Sequence, residues 1–433
     1  MKKSFLLVIG CLLITVVLTS ENTFGQSDEG KSGTVYSKYG TGLPLLNNTA
    51  QEKGMGIIGV SFNDISSPGL HNPAFWSKGI YTRVAANFDF TSYSIKDFSG
   101  EGNNSLLNIG SFQAVFPLSK DKLGLSVALF PETRTSYNVN SSQVIPFGTG
   151  STEYFSNRTG TGGITKFEVG LGYKINNTIS VGYAPSYSFL TEKENRSVVF
   201  IDGRVSSNLT TRSVNGTSFS HRFGLLLNKR SVFSKSDLIQ FGASLTLPTN
   251  YDATRTTNTR KNVGSASEIV QIGGTEMADV SLPTKVAAGF TYFLNPKFNA
   301  SAEIQFENWE EAKYEFSNSD EGAFKNRKVI GTGFQYHPYR GRSTKFLSNF
   351  KYSAGVTFDS GHLEISNEEV STLWFSAGLG LVSPNLRTGS SFDLSFQYGL
   401  RGTTRGGLVK ENIFGINLSV NLTELMFLQR KLN

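Results

Sequence analysis

The sequence predicts an all-β chain, a transmembrane antiparallel β-barrel of about fourteen strands. Three observations carry that prediction. From Ile80 to Leu422 apolar and polar residues alternate with period two, which makes strands with one apolar and one polar face. Most of these segments run about nine residues or more, enough for a tilted strand to cross a bilayer, whereas sandwich strands are nearer five or six. The composition is 38 % hydrophobic and 12 % aromatic, with 45 glycines and 17 % charged residues. Only one face of each barrel strand meets lipid, so a barrel of this kind averages out to the hydropathy of a soluble protein.

Residues 1–25 read as a secretory signal peptide. Lys2 and Lys3 precede an apolar run, Phe5–Leu18, and Gly25 stands before Gln26. The run is short for a membrane-spanning helix. Val8-Ile9-Gly10-Cys11 has the look of a lipoprotein cleavage box, but the apolar core continues through Leu12–Leu18, where such a box closes it. Cys11 is the only cysteine, so the mature chain has no disulfide framework and no cysteine-based metal site. The net charge of +7 is spread along the chain, with no basic arm or stripe for nucleic acid.

Residues 26–79 do not alternate. Gln26–Gly33 is polar, Tyr36–Gly42 opens the ordered part, and Asn47–Lys53 predicts a short helix. The glycine-bearing stretch Met55–Ala74 ends in Asn72-Pro73-Ala74. Pro73 fixes its own φ and pushes Asn72 toward extended geometry, and an Asn side chain bonds nearby backbone in an Asx turn. The motif therefore predicts a rigid turn closing a compact, irregular segment.

Residues 80–433 form the barrel. Strands are expected at Ile80–Ser92, Leu107–Leu118, Leu123–Val139, Thr165–Ile175, Ile179–Thr191, Ser218–Asn228 and Leu238–Tyr251. Seven more follow at Val280–Phe293, Phe298–Phe316, Val329–His337, Tyr352–Asp359, Leu373–Leu381, Phe392–Leu400 and Asn412–Leu422. Short turns such as Asn176-Asn177-Thr178 alternate with long polar segments, Asn140–Gly163, Glu192–Thr217 and Asp252–Met277, expected as loops. Pro131 lies inside the third segment. Proline cannot donate to a ladder, so it marks a bulge or break there. Asn308-Trp309 reads as a membrane-interface pair.

Taken in order, several motifs resemble the outer-membrane long-chain fatty acid transporter family, in the branch found in Bacteroidetes-type bacteria. They are Tyr36-Ser37-Lys38-Tyr39-Gly40, Asn72-Pro73-Ala74, Phe116-Pro117-Leu118, Gly162-Gly163-Ile164, Leu282-Pro283 and the final Glu411–Leu422 strand. The resemblance implies a bacterial outer-membrane barrel plugged by an N-terminal hatch that holds Asn72, Pro73 and Ala74. It also implies a kinked third strand, at Pro131, opening laterally to lipid. The implied function is uptake of fatty acids or other hydrophobic small molecules by lumen binding, hatch movement and lateral release. A docking or shuttle barrel of a secretion system is the other role that relatives suggest. The implied partners are a hydrophobic small molecule and outer-membrane lipid, and the barrel is expected to be a monomer. Arg83 and Arg134 are the candidate partners for a fatty-acid carboxylate. The chain runs past Phe427 to Asn433, unlike barrels that end in an aromatic residue.

An enzyme needs a nucleophile with a base, or a metal. His71, His337 and His362 read as turn or strand-end residues. His221 shares by parity the lipid face of Phe219 and Phe223, with no serine on that face nearby. Gly162-Gly163 precedes a strand, not a helix, so the context of a phosphate cradle is missing. No enzymatic activity and no cofactor are expected.

Overall fold

The computed structural model describes residues 32–64, 66–98, 100–147, 150–201, 207–263, 266–270, 274–317, 323–338, 345–383 and 389–424. The expected signal segment, Cys11 and Phe427 lie outside the described residues. Fourteen antiparallel strands close into a barrel. They are β1 (Thr82–Lys96), β2 (Glu101–Ser119), β3 (Leu123–Pro131 and Thr133–Phe147), β4 (Gly150–Lys174), β5 (Ile179–Phe200), β6 (Asn208–Arg230) and β7 (Leu238–Thr246 and Thr249–Val263). The circle continues through β8 (Thr275–Leu282 and Lys285–Asn295), β9 (Phe298–Glu307), β10 (Arg327–Tyr336), β11 (Phe350–Asp359), β12 (Thr372–Val382), β13 (Ser391–Arg401) and β14 (Lys410–Glu424). Closure comes from β1 pairing β14, from Thr82↔Glu424 to Lys96↔Lys410.

The two faces of each strand separate as the alternation requires. Phe90, Phe241, Phe290, Ile304, Phe375 and Phe396 are exposed on the outside. The polar partners Gln240, Glu303, Gln305, Asp393, Asn417 and Ser419 are buried inside. A sandwich would reverse this, with apolar faces inward. The outer band includes His221, whose Nδ1 lies 2.9 Å from the Tyr183 hydroxyl.

Three expectations need correction. The long polar segments after β3, β5 and β7 are largely strands, not loops. β3 and β4 pair as far as Phe147↔Gly150, and β5 runs to Phe200. These parts are rich in Thr, Asn, Ser and Arg and have no apolar face to mark them; the ladder and β-favouring threonine sustain them. Phe298–Phe316 is not one strand: β9 stops at Glu307 and a 3₁₀ turn, Trp309–Glu311, folds inward. Trp309 is buried, donating through Nε1 to Glu307 Oε2 at 2.5 Å, and does not mark the membrane interface. An indole N–H with a carboxylate partner inside is better satisfied than at a lipid boundary.

The described residues from 32 to 78 fill the lumen as a hatch. Its helix α1 (Ala50–Gly54) has a capping box, Thr49 with Glu52. Met55, Ile58, Val60 and Ala74 are fully buried. Hatch backbone lies directly on the wall: a Cβ on Gly355 would fall 1.9 Å from the Met55 carbonyl oxygen. Only glycine leaves room for that approach.

Candidate functional site

The hatch is held by side chains that the barrel turns inward. Glu303, on β9, accepts through Oε2 from the amides of Ile58, Gly59 and Val60 at 2.8, 2.6 and 3.2 Å. Its Oε1 accepts from the Ser61 amide at 2.7 Å and the Ser61 hydroxyl at 2.6 Å. Lys351, on β11, lies 2.9 Å from both Asp64 of the hatch and Asp393 of β13. Lys53 of α1 pairs with Asp89 of β1 at 2.6 Å. Charge-assisted bonds of this kind are about twice as strong as neutral ones, and burial makes them costly to break.

Asn72-Pro73-Ala74 lies within this assembly. The Asn72 side chain caps the 3₁₀ helix Pro73–Ser77 by accepting from the Ala74 amide at 3.0 Å. Its Nδ2 donates to the carbonyls of Val60 and of Leu225 on β6, both at 2.9 Å. One side chain thus closes the turn and ties it to the wall. Burial pushes the Glu52 carboxyl up to about 8 and the Lys78 ammonium down to about 7. Lys78 is stabilised by donating to Asn228 and Gln240.

The third strand is broken at Glu132. The lower segment of β3 pairs both β2 and β4, ending at Pro131↔Thr165. The upper segment pairs β4 and, on its other edge, the hatch residues Leu43 and Pro44, opposite Arg134 and Thr133. Across the break, Gly162 and Gly163 of β4 have φ of +122° and +130°, a region reserved for glycine. Glu132 anchors the turn. Its amide donates to Ile164 O at 2.7 Å, and its carbonyl accepts from Leu45 N at 2.9 Å. Its carboxylate meets Lys285 at 2.6 Å and Lys166 at 3.7 Å.

A cavity of about 200 Å³ lies behind the break. Leu43, Leu45, Leu46, Ile57, Leu106 and Trp374 supply its apolar wall; Lys53, Arg134, Arg327 and Arg401 bring positive charge. Pro131 and Arg134 both line it. Lys53, Arg327 and Arg401 have carboxylate partners in Asp89, Glu307 with Asp359, and Glu411. Arg134 has no ion pair among the described residues. Arg83 is elsewhere: it donates to the hatch carbonyls of Ser67 and Lys78 at 3.0 and 3.1 Å, a fastening role. Among the described residues no group of His, Cys, Asp and Glu is arranged for a metal. The anchors Glu303 and Glu132 were not singled out by sequence. Glu303 was visible only as one polar residue in an alternating strand, since its partners are more than 240 residues away.

Fold and hatch define a class: a plugged fourteen-stranded outer-membrane barrel with the FadL-like fold. Within that class the chain belongs to the BamG family, whose model matches residues 1–433. Solved structures share the fold at low identity. A Pseudomonas aeruginosa FadL homologue is 11 % identical, with a TM-score of 0.59 over 88 % of this chain and 99 % of that one. The Ralstonia pickettii toluene transporter TbuX is 13 % identical, TM-score 0.55, over 90 % and 99 %. The Pseudomonas putida toluene transporter TodX is 13 % identical, TM-score 0.52, over 91 % and 100 %. No curated protein matches. The resemblance read from sequence therefore holds for the barrel fold, and the family is BamG, not the fatty acid transporters themselves.

Proposed function

We propose that this chain is a Bam-associated docking barrel, an outer-membrane scaffold that offers its outer surface to a partner and keeps its lumen plugged. The family designation points to the Bam association. The observation that carries the docking role is the fixation of the hatch, by Glu303 on four consecutive amides and by Lys351 between Asp64 and Asp393. A partner-facing surface is available in the polar strands beyond the apolar band, where Val144, Phe155 and Val199 are exposed.

A locked plug tests this. The Ser61 and Thr291 hydroxyl oxygens are 2.9 Å apart, one on the hatch and one on β8. In the double variant Ser61→Cys, Thr291→Cys, oxidation joins plug to wall, and no other cysteine interferes in a chain cleaved after residue 25. The oxidised barrel is expected to co-isolate with Bam components as well as the reduced one. Loss of association on oxidation, restored by reductant, would show that plug movement is needed and overturn the docking role.

A second reading, uptake of hydrophobic solutes, is favoured by one observation: Arg134, which forms no ion pair among the described residues, lines the cavity beside an apolar wall. An amphiphile with a carboxylate head fits that arrangement. A hydrogen bond to a charged group contributes about 1.5–3 kcal/mol, so Arg134→Gln is expected to weaken palmitate binding by roughly ten- to a hundredfold. Equilibrium binding of labelled palmitate to the purified barrel checks it; equal affinity for parent and variant removes this reading's support.

A further inference from the structure

The short turns at one end of the barrel are basic. This is the end where β1 starts, at Thr82, and β14 stops, at Glu424, and in outer-membrane barrels the short-turn end faces the periplasm. The turns β2–β3, β4–β5, β6–β7 and β8–β9, with the strand ends beside them, carry Lys120, Lys122, Lys174, Lys229, Arg230, Lys235 and Lys297. Against them stand two acids, Asp121 and Asp237. Asp121 pairs with Lys174 at 2.6 Å. Asp237 is engaged inside its own turn, accepting from the amides of Val232, Phe233 and Ser234 at 2.8, 2.8 and 3.0 Å. The remaining cations have no ion pair among the described residues.

A cleft of about 590 Å³ lies among these turns, against about 200 Å³ for the cavity behind the break. Arg230 and Lys235 line it and are exposed. Its floor is hatch, where Phe62 stacks on Phe293 of β8 with ring centroids 6.1 Å apart. Asn299 of β9 lines the cleft at 4 % exposure, and its Oδ1 has no hydrogen-bond partner among the described residues. Oδ1 of Asn63, on the hatch, is in the same condition. A buried acceptor without a donor is costly, and a ligand that brings an N–H removes the cost. Both carboxylates of the cleft are already engaged, Asp237 in its turn and Asp64 with Lys351 at 2.9 Å. The cleft therefore offers two cations, an apolar floor and amide acceptors. A small anion matches only the cations. Lipid headgroups meet the opposite face of these strands, since Phe62 and Asn299 lie on the lumen side. A polypeptide brings a carboxylate, an apolar side chain and backbone N–H together. Lys229 and Lys297 extend the attraction beyond the cleft, over an area that suits a macromolecule.

We propose that this cleft docks a periplasmic partner protein by taking in an acidic loop. Carboxylates of the loop meet Arg230 and Lys235, an apolar side chain rests on Phe62 and Phe293, and a backbone N–H donates to Asn299 Oδ1. The inference goes beyond the outer-surface docking role by adding a periplasmic contact of stated chemistry. Part of the floor belongs to the hatch, so the site is complete only with the plug seated.

The test uses the full-length barrel in nanodiscs of phosphatidylcholine, which has no net charge. The probe is a short fluorescent peptide of aspartate, leucine and glycine, followed by anisotropy, with its asparagine analogue as control. Arg230→Gln combined with Lys235→Gln is expected to weaken binding of the acidic peptide about tenfold, and Asn299→Leu about fivefold. Lys120→Gln combined with Lys122→Gln removes the same charge from the rim outside the cleft and should change binding less than about twofold. Equal losses in the two double variants would mean attraction to the rim as a whole. Equal binding of the asparagine analogue would mean apolar adsorption, and unchanged affinity in Asn299→Leu would remove the contact that calls for a polypeptide. Short-chain phosphatidylglycerol that binds through Arg230 and Lys235 while the peptide does not would make the cleft a lipid site. Each of these results overturns the proposal. Heat-modifiable migration of every variant confirms that the barrel tested is folded. No Bam component enters the assay, so its outcome is separate from that of the docking role.

Discussion

Glu303→Ala is expected to free the plug while leaving the barrel intact. The substitution strips partners from four consecutive hatch amides and from the Ser61 hydroxyl. A buried donor left unsatisfied costs about 1–3 kcal/mol, and partial relaxation keeps four from adding fully. A net loss of about 3–5 kcal/mol in the hold on the hatch is the expected scale for breaking a buried charged network. The ladder between β8, β9 and β10 uses backbone groups and is untouched. Ser66→Cys, buried in the parent beside Ser391, reports the outcome. Bulky thiol reagents should label it slowly in the parent and at least about tenfold faster with Glu303→Ala, the change that 1.4 kcal/mol or more produces. Heat-modifiable migration should persist. Glu303→Gln should fall between the two, because its amide oxygen still accepts while its NH₂ faces other donors. Unchanged labelling in Glu303→Ala would mean that the close backbone contacts, such as Met55 on Gly355, hold the plug instead.

That expectation also shows where sequence reading stops. All fourteen barrel strands were legible because lipid imposes period two on each of them, though the expected Phe298–Phe316 overran β9, which stops at Glu307. The outward extensions of β3 to β7 were not, because in water neither face needs to be apolar. Asn72-Pro73-Ala74 was legible as a turn, since proline and asparagine act on their own neighbours. Its second bond, to Leu225, spans 153 residues and leaves no local trace. Arg83 illustrates the same limit. Alternation with Val84, Ala86 and Phe88 puts it on the lumen face, where it is buried, but its partners are hatch carbonyls and not a cavity. Alternation reports which face a residue occupies; it says nothing of what waits on that face.

At the broken third strand, Glu132→Ala should do more damage than Pro131→Thr. The proline withholds one ladder donor, as any proline must. Its carbonyl, which accepts from Asn47 Nδ2 at 2.7 Å, survives the substitution, and its neighbour Thr165 remains. If proline alone made the break, threonine there would let β3 pair β2 further outward and close it. Glu132 opposes that closure from three directions: its amide is held by Ile164, its carbonyl by Leu45, and its carboxylate by Lys285 and Lys166. Alanine at 132 takes from buried Lys166 its one ion-pair partner among the described residues and leaves it the Ser220 hydroxyl, at 3.5 Å, as hydrogen-bond partner. Removing one partner of a buried pair costs about 3–5 kcal/mol, whereas a proline-to-threonine change at a strand end without new strain stays near 1 kcal/mol. Glu132→Ala is therefore expected to lower the temperature of the heat-modifiable transition and to speed amide exchange across Thr133–Ser136. Pro131→Thr should leave both close to the parent. The opposite order, with threonine at 131 slowing exchange in that segment and narrowing the break, would make the proline the element that keeps the wall open.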